Sequence, residues 1–234
     1  MIFKTINNHK FIGEEYENIK LYFSTGEGEL NFNKNSLEGI ENLDKLKQWF
    51  NVNEVGYLNQ IHSDLIYNYD GQIHQGDALI TNNKGVAIGV FTADCVPVLI
   101  FDKKKKVIAA VHSGWKGTFN LIVSKTIDKM IQEYGSKIEN IVIYIGPHIS
   151  KCCYEIGNDV KEKFELNDLY GREVINDNKL DLTKCIDKQL RMKNILQKNI
   201  HIIKNCTFCD INNNWFSYRK NKSKKRMFSF IAIK

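Results

Sequence analysis

The chain has 234 residues, long enough for one large core, and 43% of them are hydrophobic, including 13 Phe and 10 Tyr, which excludes an intrinsically disordered chain. The formal net charge of +6 comes from scattered lysines, so it favours small anionic ligands such as phosphate esters without marking a nucleic-acid stripe. No basic segment followed by an apolar one opens the sequence and no apolar run approaches bilayer length, which predicts a soluble cytoplasmic protein whose six cysteines are thiols.

Short strands are predicted at residues 2–6 and 19–23, separated by a polar stretch that includes Gly13 and followed by a flexible loop, Ser24-Thr-Gly-Glu-Gly28. Asn35-Ser36 offers a helix cap, after which Ile40, Leu43, Leu46, Trp49 and Phe50 recur at helical spacing. Residues 55–62 read as a strand that places Leu58, Gln60 and His62 on one face. A loop over 68–76, containing His74, leads to a short strand over 76–81 with Asp77 at its mouth.

Residues 86–91 and 96–101 are apolar runs of the kind buried on both faces, and Asp94 and Cys95 lie where one hands over to the other. Pro97 weakens the second run as a fully paired central strand. If the following turn is 102–105, Phe101 pairs with Lys106 and Cys95 falls directly opposite His112, with Cβ atoms about 4.5–5.5 Å apart. That separation suits one metal ion held by a thiolate and an imidazole, provided the register is correct. A small buried hydrophobe is the plainer role for Cys95.

After His112 comes Ser113-Gly-Trp-Lys-Gly-Thr118, where glycines, a helix N-terminus capped by Thr118 and the charge of Lys116 make a candidate anion site; an ordinary turn is the alternative. The helix is predicted over 119–134, stopped by Gly135. A strand over 141–145 and helices over 157–166 and 182–197 follow, with a polar, mobile loop between the two helices. Adjacent Cys152 and Cys153 chelate one tetrahedral ion poorly, and packing is the expected role of Cys153. After a strand over 200–203, Cys206-Thr-Phe-Cys209 is a weak zinc signal for want of a second Cys-x-x-Cys pair. Residues 216–219 and 227–233 read as a terminal hairpin around a basic turn, 220–226, that carries no nucleic-acid motif.

Several segments occur in one order: Leu58-Asn-Gln-Ile-His62, Gly76-Asp-Ala-Leu-Ile-Thr81, Ala93-Asp-Cys-Val-Pro97, Val111-His-Ser-Gly-Trp-Lys-Gly-Thr118, Ile145-Gly-Pro147 with Cys153-Tyr-Glu155, and Phe216-Ser-Tyr-Arg219. From about residue 55 onward the chain resembles the laccase-domain family, also called the multicopper polyphenol oxidase or YfiH-type purine nucleoside phosphorylase family. The resemblance implies an α+β fold, one domain over 1–234 with two packed sheets flanked by helices in four layers. It implies zinc held by His62, Cys95 and His112, with copper the alternative metal. It also implies phosphorolysis of adenosine, inosine, guanosine and S-methyl-5'-thioadenosine, and deamination of adenosine. Substrate contacts are expected at Gln60, Asp77, Ser113, Gly114, Lys116, Gly117, Tyr218 and Arg219.

Three ligands including one thiolate describe a catalytic zinc with an open fourth position. With His62, Cys95 and His112 goes Asp94, the candidate proton shuttle for deamination, although the usual zinc deaminase signature is lacking. The expected partners are purine nucleosides and phosphate, without nucleic acid or membrane. The chain departs from the family at Ser24-Thr-Gly-Glu-Gly28, where an arginine is common, and at His148, which stands where a small residue would leave more room. Six histidines with no His-x-His pair are too few for a cluster of several copper ions. Two other readings compete: a metal-independent hydrolase with Cys95 as nucleophile and His112 or His62 as base, and a non-catalytic metal-binding module with Cys206 or Cys209 closing the shell.

Overall fold

In the computed structural model, which describes residues 2–234, the N-terminal segment is a meander of β1 (Ile2–Ile6), β2 (His9–Tyr16) and β3 (Ile19–Ser24). The stretch expected to be a polar connection is itself the strand β2. Its Gly13 marks a close approach, since a Cβ there would lie 2.3 Å from both the Leu21 carbonyl oxygen and the Tyr22 ring. Helix α1 (Leu37–Phe50) starts at Ser36, whose hydroxyl accepts from the Gly39 amide.

Strand β4 (Glu54–Gly56) ends well before residue 62, so His62 is not a strand residue as expected; it lies in a turn with φ 58°. The next strands are β5 (Ile66–Asn68), β6 (Ala78–Thr81), β7 (Val86–Thr92), β8 (Val96–Asp102) and β9 (Ile108–Ser113). The β8–β9 register differs from the expected one, for Phe101 pairs with Ile108 and Pro97 with His112. The turn is longer because the Asp102 carboxylate accepts from the amides of Lys104 and Lys105 and wraps the chain around itself. A displacement of two residues preserves the alternation of faces, which is why the sequence argument still brings Cys95 and His112 together. Pro97 is accommodated at the start of β8, a central strand, one residue before its pairing with the next strand begins at Val98.

The single helix expected over 119–134 is two: α2 (Trp115–Phe119) and α3 (Ile122–Tyr134), separated at Leu121 with φ 65°. Gly114 caps α2, and Thr118, expected as the cap, lies inside it with its hydroxyl bonded to Ser113. Then follow β10 (Ile141–Ile145), α4 (Asn158–Glu165), β11 (Ile175–Asn176), β12 (Lys179–Leu180), α5 (Leu182–Met192) and β13 (Ile200–Ile202). The segment between α4 and α5 was expected as a loop, but it buries Tyr170, Val174 and Leu180 and forms the β11–β12 hairpin. The C-terminal hairpin is likewise replaced. Ser217 caps the short α6 (Tyr218–Asn221), and β14 (Met227–Ile233) pairs instead with β3 and β7.

Two six-stranded sheets result, in the orders β1-β2-β3-β14-β7-β4 and β13-β10-β8-β9-β6-β5. The strand period of two sorts side chains into separate cores. On β7, Val86, Ile88 and Val90 face the second sheet, while Ala87 and Phe91 join Leu43, Leu46 and Phe50 of α1. On β8, Leu99 and Phe101 enter the core between the sheets; Val96, Val98 and Ile100 pack with residues of α3 and α5. The layers are therefore helix, sheet, sheet, helices, the α+β arrangement expected. Between β7 and β8 the chain crosses from one sheet to the other, and Asp94 and Cys95 lie on that crossing. No helix among the described residues is long and apolar enough to cross a membrane.

Candidate active site and metal centre

The sequence 61–63 turns because three consecutive amides, of Ile61, His62 and Ser63, donate to the carboxylate of Asp77 at 3.3, 3.1 and 2.6 Å. Asp77 is fully buried, and its Oδ1 also lies 2.7 Å from Nδ1 of His112. That contact leaves Nε2 of His112 as the free ring nitrogen. Cys95 Sγ stands 3.9 Å from Nε2 of His62, and the two imidazoles meet edge to face with centroids 4.9 Å apart. One ligand atom from each of His62, Cys95 and His112 lies within 4.8 Å of the others. Ligands roughly 2.1–2.3 Å from a shared ion stand about 3.5–3.8 Å apart, so the group needs little contraction to hold one. The donor set of two imidazoles and a thiol, with a carboxylate orienting one imidazole, fits a metal.

The backbone of Gly114 packs closely against the group. A Cβ on Gly114 would lie 3.1 Å from the His62 ring and 3.2 Å from Cys95 Sγ, so the start of α2 approaches the centre only because that residue is glycine. The three groups bias one another's protonation. Burial alone would push the Asp77 carboxyl up, but His112 and the Ser63 hydrogen bonds bring it down to about 2. Burial opposes the charged form of His112, but Cys95 and Asp77 raise it to about 9. Burial likewise disfavours the Cys95 thiolate, yet His112 and His62 lower that thiol to about 6.

These residues open on a cavity of about 850 Å³. Of the expected site residues, Gln60, His62, Asp94, Cys95, His112, Tyr218 and Arg219 line it. Gln60 does so with its amide already spent, accepting from the Phe91 amide and donating to the Phe91 carbonyl. Asp94 is buried with φ 102°, a conformation held because its oxygens accept from the Thr207 hydroxyl and the Arg219 amide, both at 2.7 Å.

Asp77, Ser113, Gly114, Lys116 and Gly117 are not among the lining residues. Ser113 is buried against Thr118, Gly117 packs on the Ser63 carbonyl, and Lys116 stands over the Trp115 ring. His148 does not narrow the cavity as expected, for it is buried between the Gly146 carbonyl and the Thr183 hydroxyl. Cys206 and Cys209 converge elsewhere, with Cys152 and Cys153, so neither closes the shell of this centre.

Sequence reasoning missed Lys34, Lys224 and Arg226, which line the cavity with Arg219, and the aromatic wall of Phe91, Trp115 and Tyr154. The basic turn was the available signal; its position beside the cavity depends on β14 returning to the centre of the first sheet.

Residues 20–234 match the family described as multi-copper polyphenol oxidoreductase laccase. The chain belongs to this family. Among its relatives in the family, a purine nucleoside phosphorylase of Clostridium acetobutylicum is 50% identical over 238 residues, covering 100% of both chains. Another purine nucleoside phosphorylase, from Borreliella burgdorferi, is 34% identical over 191 residues, covering 75% of this chain and 82% of its own. The crystal structure of the Bacillus licheniformis hypothetical protein YfiH superposes with a TM-score of 0.87 at 26% identity, covering 99% of each chain. This family member brings only two of its six histidines into a group of three or more converging ligand side chains, among the described residues.

Proposed function

We propose that the protein is a cytoplasmic, zinc-dependent purine nucleoside phosphorylase acting on adenosine, inosine, guanosine and S-methyl-5'-thioadenosine. One observation carries the reading: a three-ligand metal group and four cations, Lys34, Arg219, Lys224 and Arg226, share one cavity with an aromatic wall. The names of the relatives support it. His62, Cys95 and His112 would hold zinc, which would supply a Lewis acid beside the cavity; copper would suit the same donors.

The chain's own groups do the rest. The cations gather phosphate and hold it under the anomeric carbon, in place of the arginine lacking at 24–28. Phe91, Trp115 and Tyr154 sandwich the base. A phosphate oxygen forms the new bond to C1', the glycosidic C–N bond breaks, and its electron pair leaves with the purine, which takes a proton. Burial pushes the Tyr154 hydroxyl well above the ordinary tyrosine value, so it keeps its proton and serves the base as a hydrogen-bond donor, while the proton taken by the purine comes from solvent.

For adenosine deamination, Asp94 lines the cavity beside Cys95 and is the group assigned to carry the proton between water and the leaving ammonia. A metal-independent hydrolase is favoured by the two imidazoles beside Cys95, which lower its thiol to about 6. Alkylation of Cys95 by iodoacetamide separates the two, because zinc protects a ligand sulfur and leaves an unmetallated nucleophile exposed. The main test is product analysis. Inosine is converted to hypoxanthine and ribose 1-phosphate only with phosphate present, and hypoxanthine formed equally well without phosphate refutes phosphorolysis.

A further inference from the structure

The four thiols Cys152, Cys153, Cys206 and Cys209 come from two distant segments and meet outside the cavity, with all sulfurs within 4.8 Å of one another. Sγ of Cys152 and Sγ of Cys209 are 3.6 Å apart. Four thiolates each roughly 2.3 Å from a tetrahedral ion stand about 3.8 Å from one another, whereas a disulfide requires about 2.05 Å.

Each segment is a tight turn. The first is closed by the amides of Cys153 and Tyr154 donating to the Ser150 carbonyl, and the second by the Asp210 amide donating to Cys206. The turns are bound to each other: the Thr207 amide donates to the His148 carbonyl at 3.0 Å, and the Ser150 amide donates to Cys206 Sγ at 3.4 Å. Adjacent cysteines are by themselves a poor chelating pair, and Cys153 was expected to pack only, but the turn brings both their sulfurs within 4.8 Å of the Cys-x-x-Cys sulfurs, which supply the other two ligands. Cys206 is buried while Cys152 and Cys209 are exposed, so the cluster faces solvent on one side and the core on the other.

We propose that these four cysteines bind one zinc ion in a closed, all-thiolate shell, a structural site distinct from the His62, Cys95 and His112 group. Loading releases four thiol protons to solvent as four sulfur–zinc bonds form. The site pins one wall of the cavity. Thr207, inside the second turn, donates to the Asp94 carboxylate, and Ile149, just before the first, donates its amide to the Asp94 carbonyl at 2.9 Å. Ile149 and Tyr154 line the cavity themselves.

The test uses the full-length protein, reduced, with His62→Ala and Cys95→Ala removing the cavity group. Zinc titrated against a chromophoric chelator is expected to bind at one equivalent, falling to none when Cys152→Ser and Cys209→Ser are added. Cobalt in place of zinc is expected to give a sulfur-to-metal charge-transfer band that survives loss of Cys95, with about four times the intensity of a single-thiolate site. The cobalt band decides the matter without the serine variants, should those fail to fold. No zinc retained by the His62→Ala, Cys95→Ala protein, a cobalt spectrum without thiolate bands, or acid-labile sulfide from an iron–sulfur cluster would overturn the proposal.

Discussion

The buried carboxylate of Asp77 ties together both histidines of the candidate centre: it orients the His112 ring and gathers the amides that turn the chain at His62. An asparagine there would present an N–H toward a ring of donors, leaving groups unsatisfied at a cost of about 1–3 kcal/mol. Asp77→Asn is therefore expected to weaken zinc binding by about 10–100-fold in chelator competition. Unchanged affinity would mean that His112 needs no orienting partner. Asp77 was expected as a substrate contact from the family resemblance, whereas its position behind His112 depends on a hydrogen-bond network that adjacency in sequence does not reveal. Cys95 and His112 were legible because antiparallel pairing converts sequence positions into neighbours on one face. His62 followed only from family resemblance, since strand periodicity places it on a strand that ends at Gly56.

The strands buried on both faces, β7, β8 and β10, were legible as uninterrupted apolar runs, and α1 as a capped helical period. β2 was not, because Glu14 and Glu15 give it a polar sequence. Glu15 bridges strands, accepting from Tyr22 of β3 at 2.8 Å and from Lys234 at 2.6 Å. The Lys234 and Tyr22 hydrogen bonds hold its carboxyl below the ordinary 4.5. A lowered folded-state value means that the stabilisation is complete above pH 4.5 and is lost as pH falls through the folded value. Glu15→Gln should thus lower the melting temperature at pH 7 by an increment worth about 0.2–1 kcal/mol, given partial exposure. That gap should close toward pH 3, and a gap constant with pH would contradict the assignment.

At the scale of the molecule, function depends on how the two sheets meet. The crossing from β7 to β8 delivers Cys95, the start of α2 closes over it, and the turn before β14 brings Lys224 and Arg226 to the same cavity. Local periodicity carries no record of such long-range convergence, which is why the cations and the four-cysteine cluster emerged only from the fold. Arg226→Ala is expected to raise KM for phosphate about tenfold, with KM for inosine little changed, because an ionic hydrogen bond is worth roughly 1.5–3 kcal/mol. Equal effects on both substrates would place Arg226 elsewhere in the reaction.

The most direct measurement follows metal content and phosphate-dependent inosine turnover together in wild-type, His62→Ala and Cys95→Ala proteins. The cavity-bound ion and the turnover are expected to disappear together in both variants. Undiminished phosphorolysis in a variant without that ion would contradict the assignment of His62, Cys95 and His112 as the catalytic metal centre.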